Sequence, residues 1–186
     1  MVYNIRVKKI GLVAVVALSC DWFGLREPDP GTGPPHWQNP TEAHIVLDNM
    51  TNALTYILPD NYVSCLDEFF VQSADPSLTD SIYKNWTRAT EDSVIRNLMA
   101  QLDYSQDIPI QVNLVVTDSS GGSQSYDYEI SYDITVFTAT GDILLARGTA
   151  RLNLVKQSDT QLWDILSWED FKEDTTSWAE VKARYR

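Results

Sequence analysis

Apolar residues recur along this chain in three rhythms, and each predicts a different kind of structure. From Ala43 the positions Val46, Leu47, Met50, Ala53, Leu54, Ile57 and Leu58 return every three or four residues. That spacing matches the 3.6-residue turn of an α-helix with one buried face. Thr41 stands where an N-cap belongs, with Glu42 in the first turn. Pro59 suits the first turn of a second, shorter helix, with Tyr62, Cys65, Leu66 and Phe69 on its inner side. Phe69-Phe70-Val71 then reads as a short strand. A third helix is expected from about Thr90, capped by that residue, with Glu91 and Asp92 in its first turn. Its apolar face would be Val94, Ile95, Leu98, Met99 and Leu102.

Beyond residue 110 the rhythm shortens to two. Ile110, Val112, Leu114 and Val116 alternate with polar neighbours, and GGSQS at 121–125 makes a turn. Tyr126, Tyr128, Ile130, Tyr132, Ile134 and Val136 then alternate with Asp127, Glu129, Ser131, Asp133 and Thr135. Such a strand buries one face and solvates the other. Its partner runs from Ile143 to Val155, and Gln161 to Trp168 follows. A three-residue loop in Thr138-Ala139-Thr140-Gly141-Asp142, with Gly141 left-handed, pairs 138 with 142. Asp133 then falls opposite Arg147, Glu129 opposite Arg151, Tyr132 opposite Gly148 and Ile130 opposite Ala150. Two opposite-charge pairs landing in register support the hairpin, although each contributes only about 0–1 kcal/mol when exposed. Near the end of the chain, Ser177-Trp178-Ala179-Glu180 has the pattern of a capping box. A short helix to about Tyr185 would dock Trp178 on the domain.

The third rhythm is an unbroken run, Ile10 to Leu18, preceded by Arg6, Lys8 and Lys9 and followed by Ser19-Cys20. A membrane-spanning helix needs about 20 apolar residues, so this run does not span. A basic start, a short apolar middle and small residues at the end are the parts of a secretory signal peptide. The stretch Ala17-Leu18-Ser19-Cys20 resembles a bacterial lipobox, apart from Ala17, where that pattern prefers Leu. The resemblance implies cleavage before Cys20 and acylation of its thiol. Residues 1–19 are then a lipoprotein signal peptide. Residues 20–40 are the lipidated cysteine and a tether holding five of the eight prolines. Residues 41–186 are one domain. Trp37 is expected to pack back on it. The domain would sit outside the cytoplasm, held to the inner or outer membrane of a bacterial envelope.

Charge narrows the partners. The whole chain has a net charge of −12, and loss of Arg6, Lys8 and Lys9 makes the mature protein more acidic still. Phosphate backbones would be repelled, so no nucleic-acid partner is expected. Attachment to a membrane must come from acyl chains, and two or three chains hold far better than one. With Cys20 acylated, Cys65 has no disulfide partner and reads as a small core residue. No motif has metal-ligand spacing, no nucleophile elbow appears and no Gly-rich phosphate loop lies between a strand and a helix. No metal or other cofactor is expected. His44 lies off the helix's apolar stripe, and the strand carboxylates point away from the core. The inward polar tips are Tyr126, Tyr128 and Tyr132, and Tyr128 and Tyr132 with Trp163 make a candidate ligand pocket.

Three stretches carry a family resemblance: EAHIVLDNMTNALTYILPDNYVSCLDEFF, NWTRATEDSVIRNLM and QLWDILSWEDF. They are similar to the first helices and strand, the third helix and the last strand of the nuclear transport factor 2-like superfamily. That superfamily includes SnoaL-like proteins and ketosteroid isomerases. The resemblance spans about residues 41–170, and also extends to bacterial lipoproteins that carry this domain behind a Pro-rich tether. It implies an α+β fold: three N-terminal helices packed on a curved antiparallel sheet, cone-like, plus the short C-terminal helix. It also implies pairing of two copies through the sheet. The superfamily hosts enzymes and non-enzymes. With no base evident on the inward face, the expectation is a non-catalytic domain. It would bind a small apolar ligand or an envelope protein. The alternatives are an isomerase- or cyclase-like enzyme using pocket tyrosines, and a structural assembly subunit.

Overall fold

The computed structural model describes residues 36–173 and 175–186. The elements run α1 (Ala43–Thr55), α2 (Pro59–Ser64), β1 (Leu66–Ser73), a 3₁₀ turn (Ser81–Tyr83) and β2 (Trp86–Thr87). Then come α3 (Arg88–Met99), β3 (Ile110–Gly121), β4 (Ser125–Phe137), β5 (Ile143–Lys156), β6 (Trp163–Lys172) and α4 (Trp178–Ala183). One curved six-stranded sheet has the order β2-β1-β6-β5-β4-β3. Its inner face and the helices enclose the core.

The helical stripes form as the spacing requires. Val46, Met50, Ala53 and Leu54 of α1 are buried, as are Val94, Ile95, Leu98 and Met99 of α3. The caps differ from expectation. Glu42, not Thr41, precedes α1, and α3 starts at Arg88 behind Thr87 rather than at Thr90. The reason for the second shift is β2: Trp86 and Thr87 pair with Gln72 and Val71 of β1 and deliver the chain directly into the helix. Helix α1 ends on Ile57 at φ 58°, and Leu58 N–H closes back to the Ala53 carbonyl at 2.8 Å. A β-branched residue in that left-handed position is strained. Its side chain packs on the core cluster, which holds it there.

The β4–β5 ladder has the register read from the turn. Asp133 pairs with Arg147, Glu129 with Arg151, Tyr132 with Gly148 and Ile130 with Ala150, and Gly141 is left-handed at φ 88°. The sheet is not wholly antiparallel, however: β1 and β6 run parallel. The third helix also follows the first strand instead of preceding the sheet. These two corrections have one cause. The chain crosses over from β1 through α3 and the meander before β6 returns to lie beside it. Phe69, expected on an inner face, is 72% exposed. The β1–β6 ladder slips between Leu66 and Val71, and Asp67 accepts the Phe69 N–H at 2.7 Å, so the bulge turns that side chain outward.

Ahead of α1, Gln38 and Asn49 exchange two hydrogen bonds, from Gln38 N–H at 2.9 Å and to Gln38 C=O at 2.7 Å. Trp37 packs on the core, and Trp163 N–H donates to Pro40 C=O at 2.8 Å. The segment carrying Cys20 lies outside the described residues.

The register separates the two sheet faces energetically. Arg147→Glu breaks an exposed pair with Asp133 and is expected to cost about 1 kcal/mol or less. Leu152→Asp places an unpaired charge at a fully buried position and should cost several times more. Thermal melts should rank the two variants in that order.

Candidate functional site

Strand parity brings Tyr126 and Tyr128 to one face of β4, and β6 sets Trp163 beside them. The Tyr126 and Tyr128 rings lie 5.0 Å apart at 48°, and Tyr126 meets Trp163 edge-on at 6.4 Å. With Thr41–His44 at the start of α1 and Gly122 they wall an open recess of about 270 Å³. Lys156 holds its ammonium 5.9 Å from the Trp163 ring centre. Burial raises the Tyr128 hydroxyl, helped by the charges of Tyr126 and Asp48. Two of the three residues expected to form a pocket, Tyr128 and Trp163, therefore meet. Tyr132 lies deeper, away from this recess.

Tyr132 instead belongs to a buried acid site. Its hydroxyl donates to Asp170 Oδ1 at 2.5 Å, and Ala179 N–H of α4 donates to Asp170 Oδ2 at 2.6 Å. Trp178 N–H donates in turn to the Tyr132 oxygen at 3.1 Å. The ring lies over Gly148, where an added Cβ would run into the Phe171 carbonyl and the Tyr132 hydroxyl. Glycine is required there by close approach. Burial raises the Asp170 carboxyl, while the hydrogen bonds from Tyr132 and Ala179 and the charge of Lys182 oppose that shift. The same burial, with Asp170 adding to it, pushes the Tyr132 hydroxyl far up.

The second buried acid is Glu91. Its Oε1 accepts from Tyr62 OH at 2.6 Å and from Lys182 Nζ at 2.6 Å. Its Oε2 accepts from the Trp86 indole at 2.5 Å. Lys182 also donates to Gln72 Oε1. Its ammonium sits 5.5, 5.6 and 5.6 Å from the ring centres of Trp86, Trp168 and Trp178. Both charged side chains are essentially inaccessible. Within this cage Gln72 Nε2 and Trp168 Nε1 have no hydrogen-bond partner, at a cost of about 1–3 kcal/mol each. The ring faces, not the N–H groups, are what the ammonium uses.

Helix α4 supplies both acids with partners. Ser177 caps it in the expected box, accepting from Glu180 N–H at 3.2 Å while Glu180 accepts from Ser177 N–H at 2.8 Å. Trp178 and Lys182, four residues apart, point into the cone. The polar network was missed at the level of sequence, yet signals exist. Glu91 precedes Val94, Ile95 and Leu98 on one helical stripe. Lys182 shares a face with Trp178. Asp170 keeps the inward phase of Trp168, which a bulge opposite Asn153 and Leu154 had shifted.

Three further carboxylates are held locally. Asp75 accepts from Ser77 and Lys172 N–H, Asp80 caps the 3₁₀ turn and Asp92 pairs with Arg96 at 2.6 Å. His44 is exposed beside Glu42. Cys65 is buried and its thiol is raised by burial, so it is not a nucleophile in the native fold. Among the described residues no cluster could hold a metal ion, and no helix is long and apolar enough to cross a membrane.

No protein family and no curated protein matches the sequence. Solved structures do match in fold. A conserved protein from Planctomyces limnophilus aligns with TM-score 0.57 at 9% identity, over 69% of this chain and 91% of that one. An NTF2-like protein with a cystatin-like fold from Novosphingobium aromaticivorans aligns with TM-score 0.53 at 11%, over 76% and 86%. A ketosteroid isomerase-like protein from Erwinia carotovora aligns with TM-score 0.52 at 11%, over 69% and 92%. The chain has the nuclear transport factor 2-like fold.

Two measurements test the buried network. Lys182→Met leaves the Glu91 carboxylate buried without its counter-ion and should cost about 3–5 kcal/mol in urea melts. Adding Glu91→Gln to that variant removes the stranded charge and should recover part of the loss. The second test is pH. Because burial raises the Asp170 carboxyl, its contribution to stability is complete below about pH 4. The contribution fades as pH rises through the native value. The stability advantage of wild type over Asp170→Asn should therefore shrink as pH rises from about 4. An advantage that grows over this window would mean the fold favours the charged form.

Proposed function

We propose that this protein is a lipoprotein of the bacterial cell envelope, anchored through Cys20, whose NTF2-like domain binds without catalysing a reaction. The observation that supports the non-catalytic reading is the state of the two acids inside the cone. Glu91 is held by Lys182, Tyr62 and Trp86, and Asp170 by Tyr132 and Ala179. General acid–base chemistry needs a group within reach of a substrate, and both candidates are spent on the protein's own C-terminal helix. A recess walled by Tyr126, Tyr128 and Trp163 stays open at the surface. Aromatic walls with a few polar groups at the lip suit a small ligand with apolar surface, or a projecting side chain of an envelope protein.

One observation favours the enzyme reading. A tyrosine hydroxyl 2.5 Å from a carboxyl with a raised pKa is the kind of pair that ketosteroid isomerases use. That reading requires α4 to leave, since Trp178 and Ala179 donate directly to this pair.

Titration with the neutral apolar probe N-phenyl-1-naphthylamine separates the two. Saturable binding that is lost in Trp163→Ala and kept in Tyr132→Phe supports the recess. The reverse pattern would move the site into the cone and favour the enzyme. For the anchor, mass spectrometry of the membrane fraction should find an acylated N-terminal Cys20. A soluble product with another N-terminus would refute it.

A further inference from the structure

A carboxylate lines the aromatic recess and an ammonium lies against one of its rings, and their placement bears on what it holds. We propose that the recess receives the phosphoalkylammonium headgroup of a zwitterionic phospholipid in the membrane to which the tether leads. This rests on the reading of the recess as the binding site.

The three rings are not coplanar: Tyr126 is tilted 48° to Tyr128 and stands at 87° to Trp163. Ring faces attract an ammonium within about 6 Å of their centres, and the Lys156 ammonium at 5.9 Å already does this on Trp163. Across the recess stands Glu42, whose 72% exposed carboxylate lies 3.5 Å from His44, its one ion-pair contact among the described residues. The charge of Asp48 also reaches this wall. An alkylammonium therefore fits between the tyrosines and Glu42, where rings and carboxylate act together.

The anionic end of the headgroup has its own partner. Among the described residues no carboxylate pairs with Lys156, whose ammonium lies on the Trp163 side. A phosphate placed there meets a free cation while the ammonium end meets Glu42. A bare cation would be repelled by Lys156, and a neutral ring would use neither charge. Size agrees: about 270 Å³ is below the roughly 300–1,000 Å³ of drug-sized pockets, and suits a headgroup without its acyl chains. Location agrees too. Trp163 N–H bonds to Pro40 C=O, and Thr41 and Glu42 line the recess. The recess therefore adjoins the first described residues of the chain, which precede α1.

The test uses the full chain with Cys20→Ala, followed by NMR at the Trp163 indole N–H. The probes are phosphocholine, choline and 3,3-dimethyl-1-butanol, the uncharged carbon analogue of choline. Phosphocholine and choline should shift this resonance saturably, with the neutral analogue weaker by about threefold or more. Glu42→Gln should weaken both alkylammonium probes by about threefold, and Lys156→Gln should weaken phosphocholine while leaving choline equal or tighter. Both side chains are at the surface, and unchanged melting temperatures would confirm that the variants fold. Phosphatidylcholine vesicles should carry down the wild-type surface and not Tyr126→Leu. If the neutral analogue binds as tightly as choline, the headgroup proposal is wrong while the binding-site reading stands. If no probe shifts Trp163 while N-phenyl-1-naphthylamine still binds and is lost in Trp163→Ala, the headgroup proposal is wrong and the recess reading stands; if that dye fails as well, both fall. If free phosphocholine binds and vesicles do not, the ligand is a soluble phosphoalkylammonium compound and the membrane assignment is overturned.

Discussion

The ammonium of Lys182, held against Glu91 with neither side chain reaching solvent, is the contact on which the rest of the structure depends. Removing two such ions from water costs several kcal/mol each, so the pair persists only because its surroundings are complete. Tyr62 comes from α2, Gln72 from β1, Trp86 from β2, Glu91 from α3, Trp168 from β6 and Trp178 from α4. One ion pair therefore gathers six elements. It fixes α4 in the cone, and α4 in turn brings Ala179 N–H to Asp170. With the interior closed in this way, the aromatic recess proposed as the binding site lies at the rim, outside the network.

Most of the fold was legible because its signals are local. The 3.6-residue stripes of α1 and α3, the Pro59 start of α2 and the Ser177 capping box are each written in a few neighbouring residues. The β4–β5 register followed from one turn and was supported by two charge pairs. The parallel pairing of β1 with β6 was not legible, because nothing near residue 70 says which distant strand will lie beside it. Phe69 was misplaced for the same reason: the bulge that turns it out depends on the ladder to β6.

The candidate site divides along the same line. Tyr128 and Trp163 could be placed by strand parity. Tyr132 has the same parity, yet its role is set by Asp170, 38 residues away. Glu91 was read as a helix-start residue because acids are common there. Its place on the apolar stripe argued for burial, but a buried carboxylate needs a cation, and the one that reaches it among the described residues is 91 residues further along. The fold is one that hosts both catalysts and binders. Here the last helix of the chain takes up the polar groups inside.

The parallel β1–β6 pairing has a kinetic meaning. The meander of β3, β4 and β5 consists of contacts between sequence neighbours, and it can form as soon as its strands exist. The helical layer and β1 cannot be completed with it. The β1 edge waits for β6, and Glu91 remains a lone acid until Lys182 arrives. Assembly is thus postponed until almost the entire domain is present, since long-range closure is slow and gains little until its last partner is in place. The last helix of the chain is therefore the piece that completes its core.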